Sequence, residues 1–308
     1  MDLDWWSVFL RFGLYADLMV LFGIPLFSLY SLKNQERSTF PGRILPIIIG
    51  GSILLGVLLS IASLVVMAKN MTGAADYQTI ESHAFGMILG DTYFGTAWIS
   101  RMVALTACLI GMLKLRNEPT QGCIIISLGG AIALGSLAWG GHGAMDQGVR
   151  GFLHFTSDIL HLLAAGAWLG ALASFLFLAK QGSNEKHFAV LARTSAGFAT
   201  VGTVIVATLV VTGIINFYLI AGTNLNLLFL SNYGRLLLVK LVLFAGMLLL
   251  AALNRYRLAP RIEAAVVSGN AQAACIELRR SLNIEFLLAV AILFLVAVFG
   301  LLSPEIQK

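Results

Sequence analysis

The sequence predicts an all-α, polytopic membrane protein, a bundle of eight transmembrane helices. Hydrophobic residues make up 58% and charged residues 11% of its 308 residues, whereas a soluble domain has roughly 45–50% and about 25%. Several nearly charge-free stretches, among them 14–29, 44–67 and 282–302, can supply the ~20 apolar residues that cross a bilayer. Polar breaks that contain Gly or Pro separate the apolar runs along the whole chain.

The apolar runs define the eight predicted spans in chain order. They are residues 6–31, 44–67, 96–115, 122–140, 154–178, 196–221, 235–253 and 282–302. The first follows Asp2 and Asp4 rather than a basic segment, which predicts a retained span and not a cleaved signal peptide. Residues 260–280 have a helix-forming composition and are predicted to lie at the membrane surface. Residues 1–308 are therefore expected to form a single integral membrane domain.

The basic residues predict the orientation of these spans. An even number of spans places both termini on the same side. The alternate loops and tails contain Lys69, Arg150 and Lys308, with Arg235 at a span edge, whereas the loops after spans one, three, five and seven contain thirteen basic residues. Because basic loops stay in the cytoplasm, we expect both termini in the periplasm and the chain in a bacterial inner membrane. Its positive charge thus reports topology, and no nucleic acid partner is expected. The thirteen are Lys33, Arg37, Arg43, Lys114, Arg116, Lys180, Lys186, Arg193, Arg255, Arg257, Arg261, Arg279 and Arg280.

Histidines gather at the predicted outer side. His83, His142, His154 and His161 lie there, whereas His187 falls in a predicted cytoplasmic loop. Within span five, His154, Asp158, His161 and Trp168 share one helix stripe at 100° per residue. The carboxylate of Asp158 is placed to accept a ring N–H, which would orient an imidazole ligand.

The depth of His161 makes it a functional candidate. It lies about two turns, or ~10 Å, below the predicted membrane edge. Ionisable residues at such depths are costly and usually functional. The alternative is a structural histidine that is hydrogen-bonded to a neighbouring helix, with Asp158 as its partner.

Two methionines favour copper as the ligand of this cluster. Met145 follows His142 by three residues, and Met87 follows His83 by four. Imidazole suits copper, zinc, iron and nickel, and thioether sulfur favours Cu(I). The predicted ligands are His142, His154, His161, Met145, His83 and Met87, with Asp158 supporting them. Either methionine could instead serve packing alone, and the oxidation state of the copper stays open.

Polar and sulfur-containing residues deeper in the predicted bilayer suggest a relay. Cys108 and Met112 form an i, i+4 pair in span three, and a soft-ligand path through them would suit Cu(I). The alternative is that they are ordinary buried residues. Asp17, near the middle of span one, is either a proton or cation relay or one member of a helix-packing pair. The side chains of Arg11, Arg101 and Lys240 are expected to extend to the outer interface.

No motif indicates an enzyme. The sequence contains no phosphate-binding loop, no nucleophile elbow and no HExxH. Its three cysteines are far apart and have no CxxC spacing, so neither a disulfide framework nor a zinc ribbon is expected.

The sequence resembles the CopD family of bacterial inner-membrane copper proteins. The resemblance covers residues 136–302 most clearly and extends to YADLMVLFGIPLFSLY near the start. It implies a role in copper resistance or homeostasis, with copper moving from the periplasm toward the cytoplasm. It also implies a separate periplasmic copper carrier of the CopC type. His142, Asp158 and His161 lie inside the matching segments. The matching segments are GHGA at Gly141–Ala144, DILHLLAAGAWLGAL at Asp158–Leu172, TGIINFY at Thr212–Tyr218, YGRLLLVKLVLF at Tyr233–Phe244, NRYRLAP at Asn254–Pro260 and LRRSLNIEF at Leu278–Phe286.

Two other functions remain open at this point. Paired histidines in a helical bundle are also typical of a membrane protein with haem b that transfers electrons or reduces a metal, although the inner halves of the helices contain no histidine. A scaffold that holds copper for a partner without moving it is the third interpretation. The sequence does not predict the oligomeric state.

Overall fold

The computed structural model describes residues 4–39, 44–140, 148–181, 185–222, 226–267 and 271–302. Across these ranges the chain forms helices and no strand, and eight of the helices are long and apolar enough to cross a membrane. The predicted fold class is therefore confirmed. The spanning helices are α1 Trp5–Ser31, α2 Ile44–Thr72, α3 Tyr93–Lys114, α4 Pro119–Gly135, α5 Gly148–Gln181, α6 Glu185–Ala221, α7 Asn232–Leu253 and α8 Ala271–Phe299.

Most spanning helices are longer than their predicted spans. α5 begins six residues before the predicted start, and α8 begins eleven before it. Hydropathy detects the part of a helix inside the hydrocarbon, whereas the helix itself continues until a cap or a breaker stops it. Thr92 and Ser231 cap α3 and α7 by accepting the backbone N–H of the third following residue. Gly222, at φ 62°, ends α6 with its N–H bonded to the carbonyl of Tyr218 at 2.9 Å.

Short helices occupy the connections. The predicted loop 68–95 contains the 3₁₀ turn Tyr77–Thr79 and the α-helix Ser82–Asp91. A 3₁₀ turn continues α4 and a π-helical turn continues α7. A further helix follows that π turn at the start of the predicted surface segment 260–280, and the described end of this segment, from Ala271, is part of α8. These and the remaining short helices are Asn34–Thr39, Ser136–Gly140, Leu227–Leu230, Asn254–Leu258 and Ala259–Val267.

Successive spanning helices run antiparallel, and interhelical hydrogen bonds show which ends meet. Arg11 of α1 donates to the carbonyl of Gly300 after α8 at 3.1 Å. Arg150 of α5 donates to the carbonyl of Leu219 of α6 at 2.6 Å. We call the surface where α1, α3, α5 and α7 begin the N-terminal face. The other is the basic face, where Arg193 of α6 donates to the carbonyl of Ser31 at 3.0 Å.

The centre of the bundle is a glycine crossing of α1 and α5. A Cβ on Gly23 would lie 2.2 Å from the carbonyl oxygen of Gly166, and one on Gly170 would lie 2.2 Å from the carbonyl carbon of Gly23. Small residues allow this approach of two backbones, which supplies much of the packing between helices in a lipid environment. α4 packs on both helices at this crossing, with Gly130 against Phe22. The crossing fixes the axis of α5, and with it the position of the histidine stripe.

The outer surface of the bundle is apolar. Large side chains on α7, including Val239, Val242 and Leu249, are exposed. In a chain with spanning helices such a surface contacts lipid.

Candidate metal-binding site

The histidine stripe lies on α5 where the sequence placed it. His154, Asp158 and His161 follow one another down the first turns of this helix, and His154 is 2% exposed. α6 packs along this part of α5, and the ring contact between Trp139 and Phe155, with centroids 4.3 Å apart, joins the end of the α4 segment to the same helix. The stripe therefore lies between helices at the N-terminal face.

A hydroxyl from α6 orients the ring of His161. Nδ1 of His161 lies 2.9 Å from Oγ1 of Thr212, and that hydroxyl donates its own hydrogen to the carbonyl of Thr208 at 2.6 Å. With its hydroxyl hydrogen directed to that carbonyl, Thr212 is an acceptor for His161, and on this ground we assign the ring proton to Nδ1. Nε2 then has a free lone pair, and no described residue is hydrogen-bonded to it. An imidazole held in this way is the form that ligates metals.

Asp158 has a different set of partners from the one predicted. Its Oδ1 accepts a hydrogen bond from Nδ2 of Asn216 on α6 at 2.7 Å. Its Oδ2 lies 4.0 Å from Nε2 of His154, an ion-pair distance and not a hydrogen bond. Asp158 does not orient His161, since Thr212 does. The neighbouring helix α6 supplies the partners of both residues, Asn216 for Asp158 and Thr212 for His161.

A cation from α7 completes the cluster. Lys240 interacts electrostatically with Asp158 and with His161, and Tyr233 at the start of α7 interacts with Asp158. The ammonium of Lys240 also lies 5.7 Å from the ring centroid of Phe299. The expected extension of Lys240 to the outer interface stays a prediction.

The structure does not bring all predicted ligands together. His142 and Met145 lie outside the described residues. His83 and Met87 are exposed on the short helix Ser82–Asp91, which packs on α2 and α3 and not on α5. In the described ranges, no three His, Cys, Asp or Glu side chains come together as a group that could hold a metal. The described part of the site thus supplies one oriented imidazole, a second buried imidazole and a carboxylate.

The relay candidates are separated by packing. The thiol of Cys108 contacts the carbonyl of Ile126 on α4 at 3.6 Å and is fully buried. The sulfur of Met112 instead faces α2, where a Cβ on Gly50 would lie 3.2 Å from it. The two sulfurs are directed at different helices, so this geometry favours packing over a shared site.

Asp17 is buried between α1 and α2. It is 7% exposed and is hydrogen-bonded to Ser52 of α2. Its Oδ2 has no hydrogen-bond partner among the described residues. The bond to Ser52 matches the helix-packing alternative, and the unbonded oxygen leaves the relay alternative as a prediction.

The prediction for Arg101 was wrong. Its side chain is 3% exposed and its Nε donates to Oγ of Ser136 at 2.9 Å. The side chain does not reach the interface because the turn that ends α4 provides an acceptor inside the bundle.

Sequence reasoning missed the partners of the stripe. Thr212 and Asn216 on α6 hold His161 and Asp158. Deeper in the bundle Trp168 and Asn254 donate to Glu285 at 3.1 and 2.9 Å. A signal was present, since each is a polar or amphipathic residue inside a segment that carries the CopD resemblance. The spacing did not show which of them pair, because pairing depends on how the helices are rotated.

Comparisons with known proteins decide the family. The model "Copper resistance protein D-like, N-terminal domain" matches residues 1–152, and the model "Copper resistance protein D" matches residues 192–299. Copper resistance protein D of Pseudomonas syringae pv. tomato is 43% identical over 98% of this chain and 97% of that protein. The chain belongs to the copper resistance protein D family. The resemblance found in the sequence is thereby confirmed.

More distant family relatives agree with this assignment. The inner membrane protein YebZ of Escherichia coli (strain K12) is 26% identical over 82% of this chain and 84% of that protein. The copper transport protein CutJ of Bacillus subtilis (strain 168) is 25% identical over 94% of this chain and 52% of that longer protein. No solved structure matches. With its spanning helices, this CopD family member is a multi-pass protein of the inner membrane.

Proposed function

We propose that this chain moves copper across the bacterial inner membrane, from the periplasm toward the cytoplasm, in copper resistance. The observation that carries the proposal is the orientation of His161, whose Nδ1–H is bonded to Thr212 while Nε2 is free for a ligand. An imidazole held ready inside a transmembrane helix is a functional feature, because ionisable groups at this depth are costly.

Copper is the metal that the donors and the relatives support. Imidazole binds copper well, and a thioether would favour Cu(I). Two relatives are named for copper resistance and copper transport. His142 and Met145 would complete the site, since His142 follows Trp139, whose ring packs on Phe155 of α5, by three residues. Lys240 would balance the charge of Asp158 when the site is empty.

The orientation of the chain in the membrane is inferred from the distribution of its basic residues. Thirteen basic residues fall in the predicted connections after spans one, three, five and seven, on the side of the basic face, and by the positive-inside rule this face would lie in the cytoplasm. The N-terminal face, and the histidine site with it, would then open to the periplasm. A soluble copper carrier of the CopC type would deliver the ion there.

Reconstitution tests the proposal. Purified protein in proteoliposomes should accumulate copper, and His161→Ala and the double variant His142→Ala/His161→Ala should lose both tight copper binding and uptake. His187→Ala is the matched control, because His187 lies on α6 near the basic face and not in the stripe. Copper binding without uptake in the wild type would favour the scaffold. A Soret band that disappears in the double variant would favour haem b.

A further inference from the structure

A buried carboxylate lies below the histidine stripe, in the half of the bundle next to the basic face. Glu285 of α8 is 2% exposed. Its Oε1 accepts from Nε1 of Trp168 on α5 at 3.1 Å. Its Oε2 accepts from Nδ2 of Asn254, at the start of the π-helical turn after α7, at 2.9 Å. Three helices thus meet at one carboxyl group.

The same face of α5 connects this carboxylate with the histidines. Trp168 follows His161 by seven residues, two helical turns, and therefore lies about 10 Å deeper along α5. On α8, Glu285 lies five residues, about 7.5 Å along the axis, beyond Arg280, which is exposed. On the way from the N-terminal face to the basic face, the histidine stripe therefore comes first and Glu285 lies deeper in the bundle.

The surroundings of Glu285 suit a proton and not a metal ion. A metal needs several electron-pair donors around it, whereas the groups that reach this carboxylate are N–H donors that would repel a cation. Arg279 and Arg280 precede Glu285 on α8, and Arg255 follows Asn254; all three side chains are exposed.

Asn254 provides what the protonated form requires. A carboxylic acid has an O–H that needs an acceptor. Oδ1 of Asn254 is buried and has no hydrogen-bond partner among the described residues. Rotation of the amide would present this oxygen to the acid in place of the N–H that now binds the carboxylate. The π-helical turn that carries Asn254 is a feature found often at functional sites.

We propose that Glu285 is a proton-binding site whose loading and release accompany the passage of the transported cation. Proton binding at Glu285 follows from the surroundings of this side chain and does not depend on the proposed function. The coupling to a cation rests on the proposed transport function.

Infrared difference spectroscopy tests proton binding directly. For the full chain in lipid nanodiscs, lowering the pH should produce the carbonyl stretching band of a protonated carboxyl group. Glu285→Gln keeps the size of the side chain and should lose this band, whereas Asp17→Asn should retain it. Trp168→Phe, which removes one hydrogen bond, should shift its frequency. Unchanged spectra in Glu285→Gln, or no shift in Trp168→Phe, would overturn the assignment.

Proteoliposomes with an imposed pH gradient test the coupling. Wild-type copper uptake should change with the gradient and be accompanied by proton movement that an entrapped pH dye reports. Glu285→Gln should lose this response while its copper affinity stays within twofold of the wild type. An equal gradient response in both proteins would overturn the coupling. If the wild type moved no copper, the transport proposal would fail, and the infrared result would still decide the role of Glu285.

Discussion

The α3–α4 pair and the α5–α6 pair are both consecutive antiparallel helices, yet they are held together in different ways. α3 and α4 approach through glycines: a Cβ on Gly122 would lie 2.8 Å from the carbonyl oxygen of Gly111. α5 and α6 are joined at the N-terminal face by side chains that hydrogen-bond across the interface, such as His161 with Thr212 and Asp158 with Asn216.

The first contact serves helix packing, whereas the second also leaves a group that can bind a ligand. In the α3–α4 contact the polarisable group is the thiol of Cys108, which contacts a backbone carbonyl and glycine and is fully buried. In the α5–α6 contact the hydrogen bonds consume one nitrogen of His161 and leave the other available. A polar residue in a spanning helix therefore indicates a functional site only when its hydrogen bonds leave a donor or acceptor atom available for a ligand.

Thr212→Val should have the largest effect, because it removes the acceptor that fixes the ring of His161 and leaves the volume nearly unchanged. Loss of such supporting partners typically weakens metal binding 10- to 100-fold. We expect a loss of this size in copper affinity, measured by titration of the purified protein, with recovery in Thr212→Ser. Thr106→Val on α3 is the control, since its hydroxyl also bonds a backbone carbonyl one turn earlier but is exposed. Equal losses in both valine variants would contradict the assigned role.

Gly122→Ala should destabilise the α3–α4 contact without changing the site. The added methyl would meet the backbone of α3, and overpacking of this kind costs about 1–3 kcal/mol. The measurement is thermal unfolding in detergent, followed by copper affinity of the folded fraction. Gly51→Ala on α2 is the matched control, because a Cβ there meets nothing within 4 Å. A copper affinity that fell while unfolding stayed unchanged would show that this contact belongs to the site.

Cys108→Ala and Met112→Leu test the soft-ligand relay. If both sulfurs serve packing, copper uptake should stay within about twofold of the wild type, and Cys108→Ala should lower stability by about 1 kcal/mol through a small cavity. A selective loss of uptake with unchanged copper binding would restore the relay.

His83→Ala should have the smallest effect. The side chain is exposed on a short helix that packs on α2 and α3. Copper affinity and uptake should match the wild type within error. A loss as large as that of Thr212→Val would place a copper ligand on this helix.

The sequence by itself determined the fold class, the order of the spans and the stripe on α5. Each depends on local properties: apolar length, the breaks between runs and the 100° period that brings His154, Asp158 and His161 to one face. It also identified the family, because the polar positions in the spans form recognisable segments.

The tertiary structure alone decided the partners of those residues. Thr212 and Lys240 are ordinary residues of their helices until the rotation of α6 and α7 turns them toward α5. That rotation depends on contacts elsewhere, above all the approach of α1 and α5 at Gly23 and Gly170. Local sequence sets which face of a helix is polar, whereas packing between helices sets what that face meets. The stripe was therefore predictable, and the free nitrogen of His161 was not.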